Sequence, residues 1–125
     1  MTSTPTGKPS PPLSPALEKL DPTRRRAELL ICNLALQFDC LQYKPQWFRP
    51  GHFDAEKLER DSRPWSTGEK HCVNFILAVW SGHDWKEDTE AGIPDRSFKL
   101  IDAMGTLGSG NVEPIINWMA NPRWP

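Results

Sequence analysis

At 125 residues, with 15 basic against 16 acidic side chains and a pI near 6.3, the chain has room for one domain and carries no global field that would gather polyanions. Setting aside a Pro-rich start leaves roughly 100 residues, enough for a single modest core and not for two. No run reaches the roughly 18 apolar residues of a membrane span, and the opening MTSTPTGKPS lacks the apolar stretch of a secretion signal, so a cytoplasmic protein is expected. The three cysteines, Cys32, Cys40 and Cys72, are odd in number, and two stand in apolar runs where a thiol behaves as a small hydrophobe; a disulfide scaffold is not expected.

Residues 1–15 hold five of the 13 prolines with Ser, Thr, Gly and the single charge of Lys8, a composition that buries too little apolar surface to offset ordering. Residues 1–20 are therefore expected to form a disordered or extended arm, and residues 21–125 a single helical domain. Pro9 with Pro12, and Pro12 with Pro15, satisfy P-x-x-P spacing, which favours a polyproline II rod. Such spacing also arises freely in any Pro-rich tail.

Asp21 followed by Pro22 reads as a helix start, a side-chain acceptor at the N-cap and a proline at the first helical position. The helix predicted over residues 22–38 carries a stripe of Ala27, Leu30, Ile31, Leu34 and Phe38, widened by Leu29, Cys32 and Leu36. Only Arg26, Asn33 and Gln37 keep a narrow polar line. Arg24, Arg25 and Arg26 fall in the first turn, where the helix dipole disfavours cations by about 0.3 kcal/mol or more each. A compensating acid is expected, either internal, with Glu28 nearest in sequence, or on an acidic partner or phosphate backbone.

Residues 43–53, YKPQWFRPGHF, interrupt regular structure with two prolines and a glycine. Aromatic residues alternate there with Lys44, Arg49 and His52, a pattern that suits base stacking beside phosphate neutralisation. The plainer expectation is a lid, with Trp47, Phe48 and Phe53 folded down on a helical core. A short charged helix follows over residues 54–61, anchored by Leu58.

Ser66 and Glu69 stand in the S-x-x-E spacing of a capping box and open a second long helix, which Gly82 stops. Its apolar positions, Cys72, Phe75, Ile76 and Val79 on one face and Val73, Leu77 and Trp80 on another, leave only Lys70, His71 and Asn74 as a polar seam. Residues 27–38 and 72–80 are thus apolar around most of their circumference. A helix of that kind must be covered on several sides. In a body of roughly 100 residues the cover is expected to come partly from another copy or another chain.

The stretch 83–95 is acidic but lacks the alternating oxygens and glycine of a calcium loop, so a solvated surface loop is expected. Two short helices should close the domain: residues 97–104 with Phe98, Ile101 and Met104 inward, and residues 112–120 capped by Asn111 with Ile115, Ile116 and Met119 inward. Between them GTLGSG has glycines in a position that can cradle phosphate, but no Lys-Ser/Thr pair and no preceding strand, so it reads as a connector.

Catalytic chemistry is weakly signalled. His71 and Cys72 adjoin in sequence, yet neighbouring helical residues point about 100° apart and do not form a nucleophile and base pair. No C-x-x-C or H-x-x-x-H spacing suggests zinc, and neither a metal nor a cofactor is expected. Six tryptophans are many for this length; Trp65 and Trp80 suit a core, while Trp85, Trp118 and Trp124, beside polar or proline residues near element ends, suit a rim.

The expectation is an all-α bundle of four or five helices with an extended Pro-rich arm, acting without catalysis as a protein-protein interaction module, a small subunit or a stoichiometric inhibitor or adaptor. Its partner is another protein or a second copy, met through Arg24, Arg25, Arg26, Trp47, Phe48, Arg49, Trp85, Trp118 and Trp124. One alternative is a nucleic-acid-binding module using Arg24, Arg25 and Arg26 with Tyr43, Lys44, Trp47 and Arg49 of the 43–53 segment. A second is a small enzyme with a site centred on His71.

Overall fold

The apolar run at residues 72–80 becomes the centre of an all-α domain. In the computed structural model, which describes residues 14–125, six α-helices occur: α1 (Pro15–Glu18), α2 (Pro22–Ala35), α3 (Ala55–Ser62), α4 (Thr67–Ser81), α5 (Leu100–Thr106) and α6 (Ser109–Ala120). A 3-10 turn, Pro45–Trp47, lies between α2 and α3, and two isolated antiparallel bridges, Trp85 with Arg96 and Asp88 with Ile93, shape the segment between α4 and α5. Helix α4 packs against α2, α3 and α5. None of the helices among the described residues is long and apolar enough to cross a membrane. The first P-x-x-P spacing lies outside the described residues.

Local chemistry explains the firm boundaries. The Ser66 hydroxyl accepts from the Glu69 N–H at 3.3 Å while the Glu69 carboxylate accepts from the Ser66 N–H at 3.1 Å, so the capping box opens α4, and Gly82 closes it with φ +80°. Asp21 caps α2 through the Arg24 N–H at 2.9 Å, and Asp54 caps α3 through the Lys57 N–H at 3.1 Å. Each such cap contributes about 1 kcal/mol. Helix α2 stops at Ala35, three residues before the expected Phe38. Successive turns, Phe38 N–H to Ala35 at 3.2 Å and Leu41 N–H to Phe38 at 3.0 Å, fold Phe38 and Leu41 back into the core instead.

The chain covers α4 by itself. Cys72, Val73, Phe75, Ile76, Leu77 and Val79 are all buried, which corrects the expectation that both apolar helices need outside cover. Phe53 meets Trp80 edge to face at 4.8 Å between ring centres, and Phe75 meets Phe98 at 5.1 Å and Trp118 at 5.5 Å. Aromatic residues from two irregular segments, with Trp118 from α6, thus supply area that a further long helix would otherwise provide. Helix α2 differs: Ile31, Cys32, Leu34 and Ala35 are buried, but Leu29 stays 42 % exposed and Leu30 half-buried.

Three further expectations are corrected. Residues 14–20 do not extend as an arm: Ser14 caps α1, Leu17 is buried, and Arg25 donates to the carbonyls of Leu17, Glu18 and Leu20 at 3.2–3.3 Å, satisfying the C-terminal end of that turn. Helix α5 starts at Leu100 rather than residue 97, so Phe98 reaches the core from extended backbone; the helix buries Ala103, and Ile101 is 81 % exposed. Helix α6 starts at Ser109 with Gly108 at its N-cap, so Asn111 lies inside the first turn and its Oδ1 accepts from the Cys40 N–H at 3.0 Å. The inward face of α6 is Pro114, Ile115 and half-buried Trp118, whose ring meets Phe75 edge-on, while Ile116 and Met119 are exposed. Pro114 is tolerated because the carbonyl it leaves without an N–H, that of Gly110, accepts from the Asp39 N–H at 3.3 Å.

Two buried carboxylates fasten the irregular segments. Glu28 accepts from the N–H groups of Gly51 at 2.8 Å and Phe53 at 3.1 Å and from Arg24 Nε at 2.7 Å, which pins the 43–53 segment to α2. Glu59 accepts from both Nε and Nη2 of Arg63, at 2.8 and 2.6 Å, and from Arg96 Nη1 at 3.1 Å. Arg96, also buried, donates further to the Glu59 carbonyl at 2.9 Å, Ser62 Oγ at 3.0 Å and Asn74 Oδ1 at 2.7 Å, tying the segment after α4 to α3 and α4. Burial pushes the Glu59 carboxyl up, but the hydrogen bonds and charges of Arg63 and Arg96 outweigh it and hold the group below the ordinary glutamate range.

Three predictions concern these joints. Removing one partner of a buried pair strands the other, so Arg96→Ala should cost about 3–5 kcal/mol in urea unfolding. A carboxyl whose folded pKa is depressed adds stability above its unfolded pKa and loses it as pH falls through the folded one. Stability should therefore decline below about pH 4, and Glu59→Gln should flatten that decline. Gly51 has φ +91°, and a Cβ there would stand 2.8 Å from the Leu17 nitrogen. Gly51→Ala should cost about 1–3 kcal/mol and raise amide exchange across residues 15–20.

Candidate functional site

Helical periodicity places Leu30, Asn33, Leu34 and Gln37 along one side of α2 and the turn that follows, and Pro114, Asn117, Trp118 and Asn121 along one side of α6 and its C-cap. These two rows, each at i, i+3, i+4, i+7, together with Arg123, line an open groove of about 250 Å³. Its lining is partly apolar, from Leu30, Leu34, Pro114 and Trp118, and partly carboxamide, from Asn33, Gln37, Asn117 and Asn121. A second depression along α2, lined by Pro22, Arg25, Arg26, Leu29, Leu30 and Asn33, shares Leu30 and Asn33 with the first, so the two make one continuous surface. No carboxylate lines either part, whereas Arg25, Arg26 and Arg123 do. Beside it the C-terminal segment folds back: Trp118 Nε1 donates to the Arg123 carbonyl at 3.0 Å, and Trp124 stands edge-on to Trp118 at 4.8 Å between centres while remaining 53 % exposed.

The arginine cluster divides by role. Arg24 remains exposed but is paired with buried Glu28, the internal acid that its first-turn position required, and lies 4.8 Å over the Trp80 ring. Arg25 holds α1, leaving only part of its guanidinium at the groove. Arg26 is exposed and forms no ion pair among the described residues. Of the three, Arg24 is paired with Glu28, Arg25 is bonded to α1, and Arg26 is the unpaired cation among the described residues.

The 43–53 segment is the lid. Phe48 is 1 % exposed and belongs to the core, which corrects its assignment to a partner surface; Phe53 is buried as well. Trp47 is half-buried, edge-on to Trp65 at 4.9 Å, with Nε1 donating to Asp61 at 3.2 Å. Lys44 lies 4.2 Å over the Trp65 ring and 3.4 Å from the Glu69 carboxylate. Tyr43 and Arg49 stand in solvent, but the other aromatic residues and Lys44 are engaged internally, so the segment offers no row of free rings for bases. Trp85 is half-buried against the core through its bridge with Arg96 and lies away from the α2–α6 surface.

His71 borders a separate groove with Arg63, Thr67, Lys70, Asn74, Pro94, Asp95 and Arg96. The carboxylate in that lining, Asp95, accepts from the Ser97 N–H at 2.9 Å and from the Ser97 hydroxyl, and these bonds hold it below the ordinary aspartate range. No hydrogen bond among the described residues joins His71 to a carboxylate, so the groove lacks an assembled acid-base pair. Among the described residues no group of three or more His, Cys, Asp or Glu side chains could hold a metal ion. The acids of 83–95 instead form turns: Asp88 accepts from the N–H groups of Glu90 and Ala91, and Asp84 from that of Phe98.

Sequence reading found the polar line Arg26, Asn33 and Gln37 but not its counterpart on α6. Asn117 and Asn121 flank Trp118 at helical spacing, a signal present in the sequence and overshadowed by Ile115, Ile116 and Met119. Compared with known proteins, the chain matches no family model, and neither the curated proteins nor the solved structures returned a match.

Proposed function

We propose that this chain is a non-enzymatic protein-protein interaction module, a small subunit or stoichiometric inhibitor or adaptor, that holds a segment of a partner protein along the α2–α6 surface. The observation that carries this reading is the one side of α2 that the described residues leave uncovered. Leu29 and Leu30 continue there into the Trp118 groove, with Arg25, Arg26 and Arg123 beside them and no acid among the lining residues. The apolar lining supplies affinity, and the carboxamides offer donors and acceptors to a backbone. Arginines at the rim favour a partner bearing Asp or Glu and speed its approach. The fitting partner segment combines apolar anchors with flanking carboxylates.

Selection of random displayed peptides on the immobilised chain tests this. Enriched peptides should pair apolar residues with Asp or Glu, and their amide shift perturbations should map to residues 26–37 and 114–124. Leu30→Asp should weaken the selected peptides about tenfold or more, as expected of a central anchor. Arg26→Glu should weaken them less and mainly slow association. Perturbations centred on the His71 groove would count against the reading. So would tight binding of labelled oligonucleotides with a steep salt dependence, which would favour phosphate contacts instead.

A further inference from the structure

Cys40 and Cys72 lie 32 residues apart in sequence, yet their Sγ atoms are 3.4 Å apart. Cys72 is on the buried face of α4. Cys40 is in the turns after α2, half-exposed, its backbone held by the bond from its N–H to Asn111 Oδ1 at 3.0 Å and by the neighbouring Asp39 N–H to Gly110 carbonyl bond at 3.3 Å. All three cysteines are free thiols, and Cys32, buried on α2, has no thiol partner among the described residues. The two sulfurs are thus within van der Waals contact, one reachable from solvent and the other enclosed. A disulfide needs its sulfurs at about 2.05 Å, so closing this pair calls for a small approach of the two side chains.

We propose that Cys40 and Cys72 form an oxidant-responsive dithiol, in which a hydroperoxide attacked by Cys40 converts the pair to an intramolecular disulfide. Cys40 is the sulfur for the first step. It is the more accessible one, and the hydrogen bond it shares with Cys72 holds the Cys40 thiol below its ordinary range, whereas the same bond and burial push Cys72 up. The Cys40 thiolate attacks one oxygen of hydrogen peroxide, the O–O bond breaks, and hydroxide leaves, giving a sulfenic acid at Cys40. The Cys72 sulfur then attacks the Cys40 sulfur, the S–O bond breaks, and the departing hydroxide takes the Cys72 proton as water. Two thiols are oxidised and one peroxide is reduced to two waters. Cys32, pushed up to about 12 by burial and by Glu28, does not compete. The bond would join the turns after α2, which also contact the start of α6, directly to α4.

The test uses the full chain, purified reduced and treated with about one equivalent of hydrogen peroxide before thiols are blocked. The expected product is a monomer lighter by about 2 Da with one alkylatable thiol. In a Cys32→Ser background, a peptide linking Cys40 to Cys72 should still form. Cys72→Ser should leave Cys40 as a sulfenic acid that dimedone traps, and Cys40→Ser should leave Cys72 unreacted. Closing the loop should raise the melting midpoint of the oxidised wild type by about 10 °C over the reduced form. The inference is overturned by three free thiols after treatment, by over-oxidation of Cys40 without a link, by a link through Cys32, by intermolecular dimers alone, or by a lower melting midpoint on oxidation. The wild-type mass measurement decides the matter even if a variant fails to fold.

Discussion

Everything in this domain answers to α4, a helix with almost no polar face. Six of its residues between Cys72 and Val79 are buried, and in water a helix so apolar stands only if it is enclosed on nearly every side. Helices α2, α3 and α5 take three sides. The rest is taken by two segments with no regular structure, which reach α4 through Phe53 and Phe98, and by Trp118 of α6. Large rings suit this task, because each buries more area than an aliphatic side chain while fixing few torsions.

Irregular segments pressed onto a core bring backbone polar groups with them, and these need partners. That need accounts for the two buried glutamates. Glu28 accepts from two backbone N–H groups of the lid, and Arg96, held by Glu59, satisfies a helix carbonyl together with Ser62 and Asn74. Both acids are matched by arginine, so neither charge is buried alone. The same chemistry turns Arg96 inward, and it holds Arg24, which stays exposed, against Glu28 and the Trp80 ring.

Once α4 is enclosed, the shortage of cover moves outward to α2. Among the described residues its Leu29 and Leu30 side remains uncovered, and residues of α6 line the groove that continues from Leu30. Ile101, Ile116, Met119 and Trp124 are exposed on the closing helices and the C-terminal segment for a related reason: short helices cannot bury both of their apolar rows against one edge of the bundle. The proposed docking surface and the proposed dithiol meet at one place in the fold, the turns that lead from α2 toward the start of α6.

The sequence alone determined what depends on near neighbours. The capping box at Ser66 and Glu69, the cap at Asp21, the stop at Gly82 and the apolar runs of α2 and α4 all rest on contacts within a few residues, and each is found where the spacing predicts it. Tertiary structure alone decided which of two possible stripes each closing helix buried, because periodicity permits both and the choice falls to the fit of Trp118 on Phe75. It also decided that α4 is covered from within, that Arg24 faces Glu28 and Trp80, and that Cys40 meets Cys72 across 32 residues. Those outcomes depend on long-range packing, where area buried and buried charge outweigh any preference a local segment can express.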